Sequence, residues 1–277
     1  MIQSSQFRAF LWVNLSCLCW AGNLAAGRLM RDAIGPGLLV CLRTLLAVIL
    51  LAAIARIFIP KAEPTATASA PMPWGLLLLM AATGLLGYQG LLYQALHTMG
   101  ALNVALINAL GPLVTALLAW AVYGTRLSTG AYIGILLSMI GVAVILSGGD
   151  WARLKTLRFG LGEVLMLLAV LLWAVYSLIG RKVMQQRSVI GTTALATGLA
   201  LPLSLPWALI EHSWDRVQWT AGLVGGLVYV AVFASVVAML AWNRAVNLAG
   251  PAHAAAAMNM MPLYALATSV FLLREPF

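Results

Sequence analysis

The sequence predicts an all-α polytopic membrane protein made of two inverted five-helix repeats, and three observations point to this class. Apolar residues make up 63% of the 277 residues and charged residues 8%, a balance typical of chains whose main solvent is lipid. Apolar runs long enough to cross a bilayer recur along the chain. One run is duplicated: residues 100–127 return as residues 250–277, with Pro112 and Pro262 at the same place.

The spacing of the apolar runs predicts nine membrane spans. They are expected to be helices, because an isolated strand in lipid leaves its peptide groups unpaired and the sequence lacks the alternation found in barrels. The longest connection, residues 60–73, is rich in Pro, Ala and Thr and has the composition of a linker. The predicted spans are residues 10–30, 38–59, 74–97, 101–123, 130–148, 159–181, 189–211, 219–243 and 252–273.

A second repeated motif gives the size of the repeat unit. A Trp-Ala pair followed by a Gly-Arg pair occurs in spans one and six, as Trp20-Ala21 with Gly27-Arg28 and as Trp173-Ala174 with Gly180-Arg181. Spans four and nine also match, so the unit has five helices, and an odd number places the second unit upside down relative to the first. We expect repeats at residues 1–150 and 151–277, with a tenth helix, the counterpart of span five, missing from the second.

The charged residues lie in the short gaps between spans. The chain carries 16 basic and 7 acidic side chains, a formal charge of +9, and basic loops at a membrane surface account for this charge without a nucleic-acid partner. The three cysteines lie inside apolar runs and lack metal-ligand spacing, which favours a packing role. No cofactor or metal is expected.

Several short motifs follow one another in a fixed order along the chain. They are the two Trp-Ala pairs, Leu42-Arg43-Thr44-Leu45, Leu92-Tyr93-Gln94-Ala95-Leu96, Asn103-Val104-Ala105, Gly111-Pro112-Leu113 and Leu117-Leu118-Ala119-Trp120. With these motifs the chain resembles the ten-helix EamA family of the drug/metabolite transporter superfamily over essentially its whole length. Within that family it is most similar to the YddG-type bacterial amino-acid exporters. One position departs from the family pattern, since Gly124 is followed by Thr125 where many members have a glutamate.

The resemblance implies a function as well as a fold. It implies a multi-pass protein of the bacterial inner membrane, working as a monomer, that exports small neutral or aromatic amino acids by alternating access through a central cavity between the repeats. A membrane enzyme is disfavoured, because the spans contain no Ser/His/Asp set, no His-Glu-x-x-His motif and no acidic metal cluster. The driving force stays open between proton coupling through His97 and passive export.

The charged residues also limit the cargo. All seven acidic residues lie at or near span ends: Asp32, Glu63, Asp150, Glu163, Glu211, Asp215 and Glu275. The midplane therefore offers no carboxylate to a purely cationic drug, and Arg43 is the only basic residue deep in a span, which disfavours a multiply charged phosphate. A neutral or zwitterionic cargo fits best. The alternative is a multidrug or nucleobase-like metabolite exporter that uses the same cavity.

The candidate binding residues are polar or aromatic side chains on single helix faces, together with the two repeated prolines. Arg43 could hold a substrate carboxylate or tie helix carbonyls together. Trp20 and Trp173, near the middle of their spans, could pack helices or line a cavity that accepts a ring or an ammonium group. Each proline removes a helix hydrogen bond and frees a carbonyl one turn earlier. The predicted substrate-binding residues are Trp20, Asn23, Arg43, Tyr88, Gln89, Tyr93, Asn108, Pro112, Trp173, Tyr176, Asn259 and Pro262.

Overall fold

The structure, a computed structural model, describes residues 2–58, 72–124, 129–147, 160–212, 214–268 and 270. Within these ranges all the regular secondary structure is helical, which confirms the predicted all-α polytopic fold. Most of the predicted linker, together with Glu63, Thr125, Asp150 and Glu275, lies outside the described ranges. Among the described residues, seven helices are long and apolar enough to cross a membrane: Ser5–Met30, Pro36–Phe58, Trp74–Thr98, Asn103–Tyr123, Leu161–Met184, Val189–Ile210 and Ala221–Ala249.

Nine helical spans, α1 to α9, can be followed in the described part of the chain, and each predicted span falls on one of them. The simple helices are α1 (Ile2–Met30), α2 (Pro36–Phe58), α5 (Thr129–Ser147), α6 (Leu161–Met184) and α7 (Val189–Ile210). The composite helices are α3 (Trp74–Met80, Ala81–Tyr88 and Gln89–Thr98), α4 (Ala101–Asn108 and Gly111–Tyr123), α8 (Ala221–Tyr229, Val230–Val237 and Ala238–Ala249) and α9 (Pro251–Ala257, Met258–Met260 and Met261–Thr268).

The composite helices are irregular near their middles. Ala81–Tyr88 in α3 and Val230–Val237 in α8 are π-helical, a widened form that is frequent at functional positions. The other two composite helices break just before the repeated prolines, so that Pro112 and Pro262 are each the second residue of a new segment. A proline at a helix start costs no hydrogen bond, because the N–H groups of the first turn have no intrahelical acceptor.

The helices of the first half pack mainly on those of the second. α1 lies against α8 and the last segment of α9, and α6 lies against α3 and the second segment of α4. α2 packs along α7, and each of them also contacts a π-helical stretch, α2 that of α8 and α7 that of α3. The start of α4 contacts the end of α9, and the start of α9 contacts the end of α4.

When α1–α4 are matched with α6–α9, each of these contacts has a counterpart with the halves exchanged. Two units related by a twofold axis would pack in this way. The inverted repeat, with its boundaries at residues 1–150 and 151–277, stays a prediction with which the contacts agree.

A carboxylate at the end of α7 joins the two halves. Glu211 accepts hydrogen bonds from the backbone nitrogens of Gly37 and Leu38, each at 3.1 Å. These N–H groups belong to the first turn of α2, where no intrahelical acceptor exists, and the negative charge also interacts favourably with the positive end of the helix dipole. The contact holds the start of α2, the helix that carries Arg43, against α7.

Candidate functional site

An aromatic cluster lies where α1, α3, α6 and α8 meet. Trp173 is at its centre: its ring packs edge-on against Trp20, with 5.2 Å between ring centroids, and stacks on Tyr176 at 5.1 Å. Tyr88 and Trp242 complete the cluster, with ring centroids 4.9 and 5.4 Å from that of Trp173. All five side chains are buried. The name aromatic cluster is used below for these five residues.

Two of the three indole N–H groups in the aromatic cluster are unpaired. The Trp20 Nε1 donates to the carbonyl of Ala234 at 3.1 Å. The Nε1 atoms of Trp173 and Trp242 are buried and have no hydrogen-bond acceptor within the described ranges. A buried donor without an acceptor is costly, and such donors are rare in folded proteins. These two nitrogens therefore offer donors to an acceptor that enters the cluster.

Arg43 is the centre of a polar network beside the aromatic cluster. Its side chain is only 2% exposed. One terminal nitrogen donates to Gln89 Oε1 at 3.0 Å, to Asn23 Oδ1 at 3.2 Å and to the hydroxyl of Tyr93. The Tyr93 hydroxyl in turn donates to Asn23 Oδ1 at 2.6 Å. The guanidinium thereby joins α2 to α1 and α3.

The same guanidinium also contacts the π-helical stretch of α8. Its Nε donates to Ser235 Oγ at 2.8 Å, and its second terminal nitrogen approaches the carbonyl of Val230 at 3.4 Å. The Val230 carbonyl already accepts from Ser235 Oγ at 2.8 Å. A guanidinium has five N–H donors, and within the described ranges the second terminal nitrogen has only this long contact. None of the acceptors that Arg43 contacts in the described part of the chain is a carboxylate.

A neutral hydrogen-bonded group lies in the second half. The Tyr176 hydroxyl donates to Asn243 Oδ1 at 3.1 Å, and the Asn243 amide donates to Thr193 Oγ1 at 2.8 Å. All three side chains are buried, with exposed fractions of 0 to 1%. They join α6, α7 and α8 as the Arg43 network joins α1, α2 and α3.

Two residues of the charged group and two of the neutral group occupy matching sequence positions. The 150-residue offset of the repeated prolines matches Tyr93 with Asn243, and the 153-residue offset of the Trp-Ala motif matches Asn23 with Tyr176. At these two positions asparagine and tyrosine have exchanged places between the halves. Of the two groups, the one around Arg43 is charged and the one around Asn243 is neutral.

A small cavity lies between α2, α3, α7 and α8. Arg43, Gln89, Thr197 and Ser235 contribute to its lining, and its volume is about 10 Å³. That volume holds about one water molecule. The polar network is therefore closed around its own side chains in this conformation, and a larger molecule needs the four helices to separate.

The model of the EamA-like transporter family matches residues 7–147 and 160–277. The chain belongs to this family. It is a multi-pass membrane protein of a transporter family, and this membership favours transport over catalysis.

Relatives agree with the assignment, and a solved structure has the same fold. An uncharacterized transporter of Archaeoglobus fulgidus is 27% identical over 270 residues, which cover 97% of this chain and 90% of that protein. The uncharacterized transporter YyaM of Bacillus subtilis is 25% identical over 187 residues, 67% of this chain but only 61% of that protein. One crystal structure shares the fold, with a TM-score of 0.73 and 20% identity over 97% of this chain and 90% of the other.

The structure places most of the predicted site residues of this family member in two neighbouring groups. Four belong to the aromatic cluster: Trp20, Tyr88, Trp173 and Tyr176. Four form the polar network: Asn23, Arg43, Gln89 and Tyr93. Their role in substrate binding stays a prediction.

The remaining four residues lie in or beside the broken helices. Asn108 accepts a hydrogen bond from Tyr88 at 3.3 Å, and its amide approaches the sulfur of Met261 at 3.2 Å. Pro112 and Pro262 are buried at the starts of their helical segments. The fourth, residue 259, lies in the 3-10 turn of α9, and its side chain lies outside the description.

Four residues in these groups were not predicted from the sequence. They are Thr193, Ser235, Trp242 and Asn243. The predicted span 219–243 places Trp242 and Asn243 at its end. In the structure α8 continues to Ala249, so both residues lie inside the helix. The 150-residue offset from Tyr93 is a signal in the sequence that points to Asn243.

Proposed function

We propose that the protein exports small neutral or aromatic amino acids across the bacterial inner membrane by alternating access. The site lies between two inverted five-helix halves and includes the polar network and the aromatic cluster. The transporter works as a monomer. In this proposal the cargo crosses the membrane chemically unchanged.

The observation that carries this proposal is the burial of Arg43 without a carboxylate among its contacts. A buried charge is costly unless it is paired. The carboxylate of an amino acid supplies the opposite charge. To bind it, the second terminal nitrogen of Arg43 would lose only one contact among the described residues, the 3.4 Å contact with the Val230 carbonyl. Bidentate binding of a carboxylate is the geometry for which a guanidinium is best suited.

The aromatic cluster suits the rest of such a molecule. An ammonium group is attracted to the face of a tryptophan or tyrosine ring, and an aromatic side chain packs against the ring edges. Trp20 connects the two groups, because its indole nitrogen bonds to Ala234, the neighbour of the Arg43 partner Ser235. A zwitterion with an apolar side chain would therefore find the Arg43 guanidinium, indole N–H donors and aromatic rings close together.

The closed state of the site supports alternating access. The cavity of about 10 Å³ is far too small for an amino acid, so α2, α3, α7 and α8 must separate to admit one. The π-helical stretches and the breaks at the prolines lie in helices that line or flank the site. Such irregularities are frequent where helices bend or move.

A second candidate cargo is a nucleobase-like metabolite. The unpaired indole donors of Trp173 and Trp242 favour it, because a planar ring with carbonyl acceptors can stack in the cluster and accept hydrogen bonds there. Amino-acid binding fits Arg43 better, since a neutral nucleobase leaves the buried charge unmatched.

The test is a substrate panel in proteoliposomes preloaded with unlabelled compounds. We expect counterflow of labelled phenylalanine and threonine, and little counterflow of labelled uracil or of a quaternary ammonium dye. Trp173→Ala and Asn108→Ala should lower phenylalanine counterflow about tenfold or more, the loss expected from one or two binding contacts. Trp120→Ala is the matched control, since Trp120 is 53% exposed on α4. Exchange of the dye alone contradicts the proposal, and exchange of uracil alone supports the second candidate.

A further inference from the structure

A second cavity, of about 570 Å³, opens at one end of the helix bundle. It lies between the ends of α4 and α6 and the junction of α8 with α9. Five of the residues that line it have a small side chain or none: Ala116, Ala119, Ala249, Gly250 and Ala252. The volume falls in the range typical of small-molecule pockets. None of its lining residues belongs to the polar network or to the aromatic cluster.

Among the described residues, this cavity is lined by basic side chains and by no carboxylate. Arg181, Lys182 and His253 line it, with Gln185 beside them. Neither Arg181 nor Lys182 makes a side-chain hydrogen bond or ion pair in the described part of the chain. Two cationic side chains therefore face a cavity with weakly polar walls, where their attraction for an anion is stronger than in open water.

Gly250 makes room for one of these cations. Its backbone has a φ of 88°, a conformation that favours glycine. A side chain at this position would also collide with the guanidinium of Arg181. The chain thus turns at Gly250 in a way that leaves the Arg181 guanidinium at the cavity wall.

The matching arginine of the first half has a different environment. Arg28 follows Gly27 as Arg181 follows Gly180, and its guanidinium donates to the carbonyl of Leu96 at 2.8 Å. In the first half, the arginine of the Gly-Arg motif thus donates a hydrogen bond to a backbone carbonyl near the end of α3. Within the described part of the chain, the corresponding Arg181 of the second half makes no such bond, and it lines a cavity instead.

We propose that this cavity binds the oxygens of a phosphate or carboxylate group through Arg181, Lys182 and His253. A guanidinium holds two oxygens of such a group in a fixed geometry, and the lysine adds a flexible point charge. The small residues of the lining leave space for the rest of the molecule. The group can come from a soluble anion or from a lipid headgroup, since both present the same oxygens. The site does not depend on the amino-acid cargo proposed above.

The test measures binding of inorganic phosphate to the purified full chain in lipid-free detergent, by calorimetry at constant ionic strength. We expect saturable binding, with affinity lowered about tenfold or more in Arg181→Gln and in Lys182→Gln, as expected for loss of a charge-assisted hydrogen bond. Arg244→Gln is the matched control, because Arg244 is exposed on α8 outside the cavity lining. Lys182 is exposed, so its variant tests the site without disturbing the fold.

A second arm identifies the source of the group. The protein is extracted from vesicles of phosphatidylcholine and phosphatidylglycerol, and the retained lipid is counted by native mass spectrometry. Retention of phosphatidylglycerol by the wild type and its loss in Arg181→Gln assign a lipid headgroup, whereas phosphate binding without retained lipid assigns a soluble anion. Absence of binding in both arms, or equal binding by Arg181→Gln and Arg244→Gln, overturns the proposal.

Discussion

At the scale of single residues, Arg43 dominates the energetics of the site. A buried guanidinium loses several kcal/mol of hydration, and hydrogen bonds must replace it. Here the acceptors come from α1, α3 and α8, so the residue is both a helix tie and a charge available to a ligand. These contacts are compatible with both roles that the sequence suggests for Arg43, binding a substrate carboxylate and holding helices together.

We expect Arg43→Lys to lower the free energy of unfolding by about 1–3 kcal/mol, because a lysine ammonium cannot reproduce the planar fork and leaves buried acceptors unpaired. Denaturant titration in detergent measures this change. The control is Arg56→Lys on the same helix, where the side chain is exposed and the effect should stay within about 0.5 kcal/mol. Equal losses in the two variants would mean that the network contributes nothing specific.

Tyr93 in the charged group and Tyr176 in the neutral group give a second comparison. Tyr93→Phe removes an acceptor from Arg43 and a donor to Asn23, whereas Tyr176→Phe removes a bond between neutral groups. Hydrogen bonds to charged groups are the stronger kind. We therefore expect kcat/KM for phenylalanine to fall about tenfold in Tyr93→Phe and distinctly less in Tyr176→Phe. The reverse order in proteoliposome counterflow would contradict a central role for the charged half.

The sequence predicted those site residues that stand out chemically within apolar spans. Arg43, Gln89 and Tyr93 are polar or aromatic positions in otherwise hydrophobic helices, and the structure brings them together. Ser235 could not be found in this way, because one serine in a run of small and apolar residues is common in membrane helices. Its importance comes from its contact with Arg43, which depends on the tertiary packing of α2 on α8.

At the scale of elements, the contact between α3 and α6 depends on a glycine. Gly84 lies in the π-helical stretch of α3, and a methyl group added there would collide with the ring of Tyr176 on α6. Tyr176 can therefore occupy its place in the aromatic cluster only because position 84 has no side chain. Gly198 on α7 is a useful contrast, because an added methyl group meets nothing within 4 Å there.

We expect Gly84→Ala to destabilise the protein by about 1–3 kcal/mol through overpacking and to reduce transport by displacing Tyr176. Gly198→Ala should be neutral, or stabilising by up to about 1 kcal/mol, since alanine is the better helix former. Thermal unfolding in detergent and phenylalanine counterflow measure the two effects. If both variants behave alike, the close approach of α3 and α6 is not under steric control.

The two kinds of helix irregularity differ in how far the sequence reveals them. The breaks in α4 and α9 accompany prolines that the sequence shows directly. The π-helical stretches contain ordinary helix-compatible residues, as in Ala81–Tyr88. Both stretches pack against helices of the other half, Ala81–Tyr88 against α6 and α7 and Val230–Val237 against α1 and α2, and such tertiary contacts are not visible in a local sequence pattern.

At the scale of the whole molecule, the two halves share a contact pattern, but the buried group around Arg43 is charged and the one around Asn243 is neutral. The helices of each half pack on the other half in matching pairs, and the buried group formed by Thr193, Tyr176 and Asn243 in the second half is neutral. The number of spans, the repeated motifs and the family follow from the sequence. The exchange of asparagine and tyrosine between the halves becomes visible only when hydrogen bonds relate the three helices of each half.

The most direct test of the central claim, that Arg43 holds the carboxylate of the cargo, is a comparison of phenylalanine with phenylalaninol in counterflow. Phenylalaninol keeps the ring and the ammonium group and replaces the carboxylate by an alcohol. We predict that unlabelled phenylalanine, but not phenylalaninol, drives uptake of labelled phenylalanine by the wild type, and that Arg43→Gln loses this preference. Equal exchange of the two compounds by the wild type, or an unchanged preference in folded Arg43→Gln protein, would contradict the claim.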